Sequence, residues 1–435
     1  MIYANSYINF QSHALSPYHV VDRVIKTLAD AQFKAWQPGT PLTEGGWWLA
    51  HPDTKAVVAW KVPKKPSIKN GYAITASHVD SPTLRLRLQP FKEDDGVNRL
   101  LTQMHGGLIQ RSWFDRPLYV AGKVWHLQNS KKMMYKKGLP AVTETLVHST
   151  IPLAVIPDVA IHLDPQKNKD GKINPENALA AMFGCQETKE LQKLFWEALK
   201  LDTKTPPDGF DLTLSPAIPH MLTGADQSYI VGPRHDDLAM VFSSLQALTE
   251  IKEQSSKVPV ALFLDAEETG SATPSGAASS FIRDTLLDIA NQLDSKSDYK
   301  QLQESFLISA DMAHAWHPGF PQLHDSNHRP HINKGIVIKE NANDRYATTG
   351  YSTAIIKGLC QSQGLSYQNF IARQDMGCGS TIGPTLSTAL SCPAADIGLA
   401  QWAMHSSAET MGAHDLDDMI KLFKAFYTGE NNIEK

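Results

Sequence analysis

Five short polar islands, each at the point where an apolar run ends, constrain this chain more than any other feature. In chain order they are His78-Val79-Asp80, Asp236-Asp237, Glu267-Glu268, Asp311 and His405. Carboxylates and imidazoles spaced this far apart in sequence meet only if one sheet aligns the ends of its strands. The apolar runs fit such a sheet. Gly71 to Ser77 reads as a strand delivering His78, and Val258 to Leu264 as a buried strand ending at Asp265. Phe306 to Ser309 reads as a strand before Asp311, and Gly335 to Lys339 as another. Helical patterns lie between them. Ser16-Pro17 supplies a capping hydroxyl and a proline at the first helical position, and Val20, Val21, Val24, Ile25 and Leu28 then recur at helical spacing. Leu238 to Ile251 and Phe281 to Leu293 read as helices too. This alternation predicts an α/β fold, with a mixed, largely parallel sheet flanked by helices. In such sheets, sites gather beyond the carboxyl ends of the strands.

Residues 84–229 have a different character. Leu84-Arg85-Leu86-Arg87-Leu88 alternates with period two, as do parts of Leu118 to Val124, which predicts antiparallel sheet with one wet face. None of the islands falls here. The simplest topology is a discontinuous catalytic domain, 1–83 and 230–435, interrupted by an inserted β-rich domain, 84–229. No internal repeat is present, and the polar end from Gly429 to Lys435 reads as frayed.

Composition excludes several classes. A net charge of -4 gives no reason to expect nucleic acid or an anionic membrane as partner. No run of 18 apolar residues suggests a membrane span, and Met1 to Asn5 lacks the start of a secretory signal. The four cysteines, Cys185, Cys360, Cys378 and Cys392, form no CxxC pair, so neither a disulfide framework nor a cysteine zinc site is expected. A reducing cytoplasm fits best. The 17 histidines favour metal chemistry.

The islands carry that chemistry jointly. In His78-x-Asp80 an imidazole can bind metal while the carboxylate fixes its tautomer, although a polar turn has the same look. Asp236-Asp237 precedes an apolar helix and suits a helix cap equally well. Glu267-Glu268-x-Gly270 is more specific, because adjacent carboxylates after a buried strand repel unless a cation or proton intervenes. One can ligate metal while its neighbour accepts a proton from the attacking water. Asp311 stands at another strand end, and His405 follows the apolar stretch Ala394 to Met404. Two histidines and three carboxylates leave two divalent cations with about one positive charge, which a hydroxide neutralises. Imidazole and carboxylate without thiolate suit zinc, with cobalt or manganese as substitutes.

Three other patterns are set aside. Gln166-x-Asn168-x-Asp170-Gly171 lacks the first-position Asp and twelfth-position Glu of a calcium loop. Gly377-Cys378-Gly379-Ser380-Thr381-Ile382-Gly383 lacks the lysine of a phosphate loop, and its glycines are expected to let backbone approach the site. His324, His328 and His331, around Arg329-Pro330, read as a polar loop with structural hydrogen bonds.

Several ordered segments resemble one family. They include Ser77-His78-Val79-Asp80-Ser81-Pro82, Trp113-Phe114-Asp115-Arg116, Ala160-Ile161-His162-Leu163, Arg234-His235-Asp236-Asp237-Leu238 and Glu267-Glu268-Thr269-Gly270-Ser271. They continue with Ser309-Ala310-Asp311-Met312-Ala313-His314, Val337-Ile338-Lys339, Arg345-Tyr346-Ala347-Thr348, Asp375 to Pro384, and Ala403-Met404-His405-Ser406. The chain is similar here to the aspartyl aminopeptidases, dinuclear zinc peptidases, in their bacterial form. The resemblance implies that Asp236 bridges two zinc ions, that His78 and Asp311 complete one shell, and that Glu268 and His405 complete the other. It implies Glu267 as general base, Asp80 as the residue orienting His78, and substrate roles for Lys339, His314 and Tyr346. It implies that His162 reaches a neighbouring subunit's site within a tetrahedral dodecamer built from dimers. The implied activity is removal of N-terminal Asp or Glu from peptides. The chain departs from the family's usual Leu at His235, Asn at Asp237 and Val at Thr269, and its Gly106-Gly107-Leu108 stretch is short. The rival expectations are a two-metal aminopeptidase or deacylase of other specificity, and a non-catalytic assembly protein that keeps the metal cage. A scaffold has no use for the free carboxylate of Glu267.

Overall fold

A computed structural model describes residues 1–64, 68–128, 135–136, 138–170, 172–252, 257–294 and 299–429. Of the segment expected to fray, 430–435 lies outside the described residues. Gly171 of the rejected calcium loop does too, while Lys167–Asp170 forms a short helix.

Nine strands form the main sheet. In spatial order they are Lys34–Ala35, Gly45–Ala50, Val57–Val62, Val258–Leu264, Tyr72–His78, Phe306–Ala310, Ala394–Gly398, Ile336–Glu340 and Tyr367–Ile371. The four strands from Val258–Leu264 to Ala394–Gly398 are parallel neighbours, and antiparallel pairings join them to Val57–Val62 on one side and Ile336–Glu340 on the other. The sheet is therefore mixed with a parallel centre. Leu264 lies level with His78, so the polar residues after both strands emerge side by side.

Alternation along the central strands sorts side chains into two layers. Ala261 and Phe263 pack with Val24 and Leu28 of the helix Pro17–Asp30, Leu238 and Leu245 of the helix His235–Glu250, and Leu416 and Phe423 of the helix Asp415–Thr428. Val260, Leu262 and Leu264 pack on the other face with Leu286 of the helix Phe281–Leu293 and Leu386 of the helix Ile382–Leu390. Each fully buried Leu or Phe contributes about 1.5–3 kcal/mol, which fixes the register of the strands carrying the islands.

Residues 83–216 form a separate seven-stranded sheet. Pro117–Leu127 pairs with Gly209–Pro216 on one edge and with Val142–His148 and Ala154–Val155 on the other, and Gly209–Pro216 also pairs with Thr83–Asp94. The sheet thus closes on itself around Leu84, Leu100, Trp113, Val120, Val124 and Leu212. A helix at Thr188–Ala198 seals it with Phe195 and Trp196, an element that the period-two reading did not show. A third, five-stranded sheet joins Met221–Thr223, Tyr229–Gly232, Glu409–Gly412, Ala400–Trp402 and Ala313–His314. It brings the region after Asp311 beside the region before His405. Among the described residues no helix is long and apolar enough to cross a membrane.

Candidate metal centre

Each island ends a main-sheet strand or lies in a turn beside the sheet. His78 is the last residue of its strand, Asp311 directly follows Phe306–Ala310, and Glu267 and Glu268 form a turn after Val258–Leu264. Asp236 lies at the start of the helix His235–Glu250, and His405 follows Ala400–Trp402. Three of these turns contain a non-glycine residue with left-handed backbone: Arg234 (φ 64°), Ala266 (φ 62°) and His405 itself (φ 69°). Such residues cost about 1–3 kcal/mol each and persist where the surroundings over-determine them.

The turns converge. Side-chain groups within 4.8 Å of one another are His78, Asp236, Asp237 and Asp311; His78, Glu267 and Glu268; and Asp236, Glu268 and His405. All five expected ligands occur in these groups. Asp236 stands in the middle. Its Oδ1 lies 3.3 Å from His78 Nε2, and its Oδ2 lies 3.3 Å from His405 Nε2. His405 Nε2 is also 3.4 Å from Glu268 Oε1. Ligand atoms about 2.0–2.1 Å from a tetrahedral zinc are separated by about 3.3 Å, so these spacings fit a cation between each pair. Asp236 Oδ1 and Glu268 Oε1 are buried and have no hydrogen-bond partner among the described residues, as unmet ligand atoms would be.

The imidazoles are held from behind. His78 Nδ1 lies 3.0 Å from the Asp80 carbonyl and 3.3 Å from Asp80 Oδ1, and His405 Nδ1 lies 2.8 Å from the Gly107 carbonyl. A proton on each Nδ1 leaves the Nε2 lone pairs facing the cage. Asp80 also accepts from the backbone N–H groups of Glu267 and Glu268, at 3.1 and 3.3 Å. It thereby ties the strand end at His78 to the Glu267 turn.

Electrostatics show what the cage lacks. Burial pushes Glu267 up to about 8, with Asp311, Asp236 and Asp80 adding to the rise and His78 opposing it. Burial also pushes Asp311 up to about 6, against the pull of Lys339, and raises Glu268 well above the carboxylate range. Burial lowers His405, yet its contacts with Asp236 and Glu268 outweigh that and carry it to about 10. The rises mark a place where negative groups are buried together with little positive charge between them, and divalent cations would supply it.

Asp236, Glu267, Glu268, Asp311, His314, Lys339, Tyr346 and His405 line one cavity of about 300 Å³. Lys339 is buried, with Nζ donating to the Met312 carbonyl at 3.2 Å and lying 3.6 Å from Asp311 Oδ2 and 5.2 Å from the Tyr346 ring centre. Gly379 and Ser380 of the glycine-rich loop line the cavity as well. The loop's last glycine has a different use: a Cβ at Gly383 would run into the carboxylate of Asp396, which accepts from Thr381 Oγ1 at 2.6 Å. The loop of His324, His328 and His331 is held by local hydrogen bonds, with His328 Nδ1 2.8 Å from Asp325 Oδ1 and the His317 N–H donating to His324 Nε2. His162 is exposed and is not among the residues lining the cavity.

Two contributors escaped sequence reasoning. Glu409 is buried, with Oε2 accepting from the Asp236 N–H at 3.0 Å and Oε1 from the His405 N–H at 2.7 Å. It clamps two turns of the cage together; its only signal was its place four residues after His405. His105, from the middle stretch, places Nε2 2.9 Å from Asp80 Oδ2. Among the described residues the middle stretch supplies none of the clustered ligand groups, but through His105 and Gly107 it touches the residues behind both histidines.

The departures also find physical accounts. His235 is buried with Nδ1 2.8 Å from the Tyr7 hydroxyl and Nε2 3.1 Å from the Ile230 carbonyl, so both ring nitrogens are partnered. Asp237 Oδ2 accepts from the His78 N–H at 3.1 Å. Burial, with Asp311 and Asp236 nearby, raises Asp237 above the ordinary carboxylate range against the pull of His78.

The profile of the Aminopeptidase I zinc metalloprotease (M18) family matches residues 10–427. The probable M18 family aminopeptidase 2 of Ectopseudomonas mendocina (strain ymp) is 33% identical over 430 residues, covering 97% of this chain and 97% of that protein. A chain in the cryo-EM structure of the Ape4 and Nbr1 complex is similar with a TM-score of 0.91 at 30% identity, covering 99% of this chain and 86% of that one. The S. cerevisiae mApe1 dodecamer shares the fold, with a TM-score of 0.81 at 23% identity over 97% of this chain and 95% of that one.

Proposed function

Because the chain belongs to the M18 family of zinc aminopeptidases, which are peptide hydrolases, we propose that it removes acidic residues from the amino ends of peptides with two zinc ions and Glu267 as base. One observation carries the two-metal reading: the two oxygens of Asp236 face two different histidines at the same 3.3 Å. Asp236 would serve both ions, with His78 and Asp311 holding one and Glu268 and His405 the other. Zinc bound there would polarise the scissile carbonyl and make water acidic enough to attack at neutral pH. The chain's residues do the rest. Glu267, in the cavity but outside the ligand set, takes a proton from the attacking water and passes it to the leaving amine. Asp80 holds the tautomer of His78 and the position of the Glu267 turn. The imidazole and carboxylate donors also suit cobalt or manganese.

Lys339 reads the acidic side chain, with His314 and Tyr346 beside it in the cavity. Lys339→Ala is expected to lower efficiency on Asp- and Glu-peptides by more than about tenfold and on Leu- or Ala-peptides far less, since breaking one side of a desolvated charge pair costs about 2–5 kcal/mol. Equal losses on both classes overturn this role. Turnover of Asp-, Glu-, Leu- and Lys-anilides, with and without chelator, tests the whole reading. A preference for Leu or Lys favours an aminopeptidase of other specificity. Activity only on N-acyl compounds favours a deacylase, and no chelator-sensitive turnover at all favours an assembly protein.

The chain forms a homo-oligomer, a tetrahedral dodecamer built from dimers, with 84–229 as its assembly domain. The solved mApe1 relative is a dodecamer, and Ile151, Val159, Ile161 and Leu163 of the middle stretch are exposed. His162 then enters a neighbour's site. His162→Ala should impair activity with metal content intact; a fully active monomer on sizing contradicts both statements. The free, exposed Cys185 suits a reducing cytoplasm.

A further inference from the structure

A second cleft, of about 450 Å³, adjoins the metal cavity and shares His314 and Phe370 with it. Phe320, Leu323, Met376 and Trp402 give it an apolar, aromatic side, and the first three of these are exposed, while His328 and Arg373 add polar groups. An apolar lining alone says little about an occupant. Gln401 adds a second observation. It lines the same cleft with 1% of its surface exposed, and neither its Nε2 nor its Oε1 has a hydrogen-bond partner among the described residues. A buried amide with donor and acceptor both unmet is costly, and a group in the cleft offering both would satisfy it. A peptide unit does so, through one carbonyl and one N–H.

Position selects which peptide. Ile109, at the cleft, donates its N–H to the carbonyl of His405 at 3.0 Å, and Ala403, two residues before His405, also lines the cleft. The strand Ala400–Trp402 that carries Gln401 pairs with Ala313–His314, directly after Asp311. A chain whose first residue lies in the metal cavity can therefore continue into this cleft without leaving the protein.

We propose that this cleft binds the part of the peptide substrate beyond the scissile bond, with the Gln401 amide pairing to its backbone and Phe320, Leu323 and Trp402 favouring a bulky apolar second residue. The proposal rests on the aminopeptidase reading and adds a specificity that the metal cavity does not supply. Gln401 Nε2 donates to a substrate carbonyl while Oε1 accepts from a substrate N–H.

The test compares Asp-Phe-Ala, Asp-Gly-Ala and the Asp anilide as substrates of the zinc-loaded full-length protein. Wild type is expected to prefer Asp-Phe-Ala over Asp-Gly-Ala by about tenfold or more in kcat/KM, the usual worth of an apolar pocket. Phe320→Ala should cut Asp-Phe-Ala hydrolysis at least about fivefold more than Asp-Gly-Ala hydrolysis. Gln401→Leu, close in volume, should raise KM on both tripeptides about tenfold while changing the anilide, which lacks that backbone, much less. Melting temperature and metal content of each variant show whether it is folded and loaded. Equal losses on all three substrates in folded, loaded variants overturn the proposal. So does a wild type indifferent to the second residue, or a Phe320→Ala variant that changes only the size of the assembly. Absence of hydrolysis of every substrate by wild type counts instead against the aminopeptidase reading.

Discussion

Replacing Glu267 by Gln is expected to remove about 10²–10⁴ of turnover while metal content and fold stay unchanged. Glu267 lies in the cavity beside Glu268 and outside the expected ligand set, so its carboxylate is free to take a proton and return it. Its backbone N–H is fixed by Asp80 Oδ1 at 3.1 Å, and that anchor survives the substitution. Glutamine has nearly the same shape but can neither accept the proton of the attacking water nor deliver it to the leaving amine. Kinetics alongside elemental analysis of the same sample check this. Near-normal turnover in a metal-loaded variant removes Glu267 from the chemistry. Loss of metal in the variant would make it a ligand, contrary to its assignment.

Stripping the metals has a second large expected effect, on stability, and its sign follows from the cage. In the fold Asp311 is raised to about 6, Glu267 to about 8 and His405 to about 10. Each lies above its value in the unfolded chain, so the folded state holds more protons across this range. The stability that such groups contribute is complete below their unfolded values and is lost as pH rises through the folded ones. The stripped protein should therefore melt at progressively lower temperature from about pH 6 to about pH 9. Zinc replaces those protons and binds more tightly as they leave, so the gap between loaded and stripped protein should widen over the same interval. Thermal melts of both forms at matched ionic strength check it. A stripped protein whose melting temperature is flat or rising across that interval contradicts the electrostatics of the cage.

The strands that carry the islands were legible because they are apolar on both faces and end abruptly in charge. Val258–Leu264 was read to its last residue, Phe306–Ala310 differs from the reading by one residue at its end, and Tyr72–His78 and Ile336–Glu340 are each shifted from it by one residue. Regular helical backbone begins at Leu238, as expected, because Asp236 and Asp237 just before it are non-helical (φ -82°, ψ 108° and φ -117°, ψ 23°). A carboxylate there looks like a cap in sequence, and only its distances to His78 and His405 reveal another use.

What stayed hidden depends on contacts between distant segments. Glu409 serves the site by accepting from two backbone N–H groups, and no residue pattern in Ser406-Ser407-Ala408-Glu409 signals that. His105 ends a strand of the closed middle sheet and acts through Asp80, 25 positions earlier. The helix Thr188–Ala198 was masked by its short length within a stretch dominated by alternation. Gln401 lies inside the stretch Ala394 to Met404, which reads as apolar, and its unmet amide appears only when the surrounding strands are in place.

Metal counting during reconstitution tests the central claim most directly, namely that one Asp236 carboxylate joins two ions. Zinc is added stepwise to stripped protein while bound metal per chain and peptide hydrolysis are read on the same samples. The account predicts that activity is absent without metal and reaches its maximum at about two ions per chain. It also predicts that Asp236→Ala, having lost a ligand from both shells, holds neither ion firmly. Full activity at zero or one ion per chain, or an Asp236→Ala variant that keeps both ions, contradicts it.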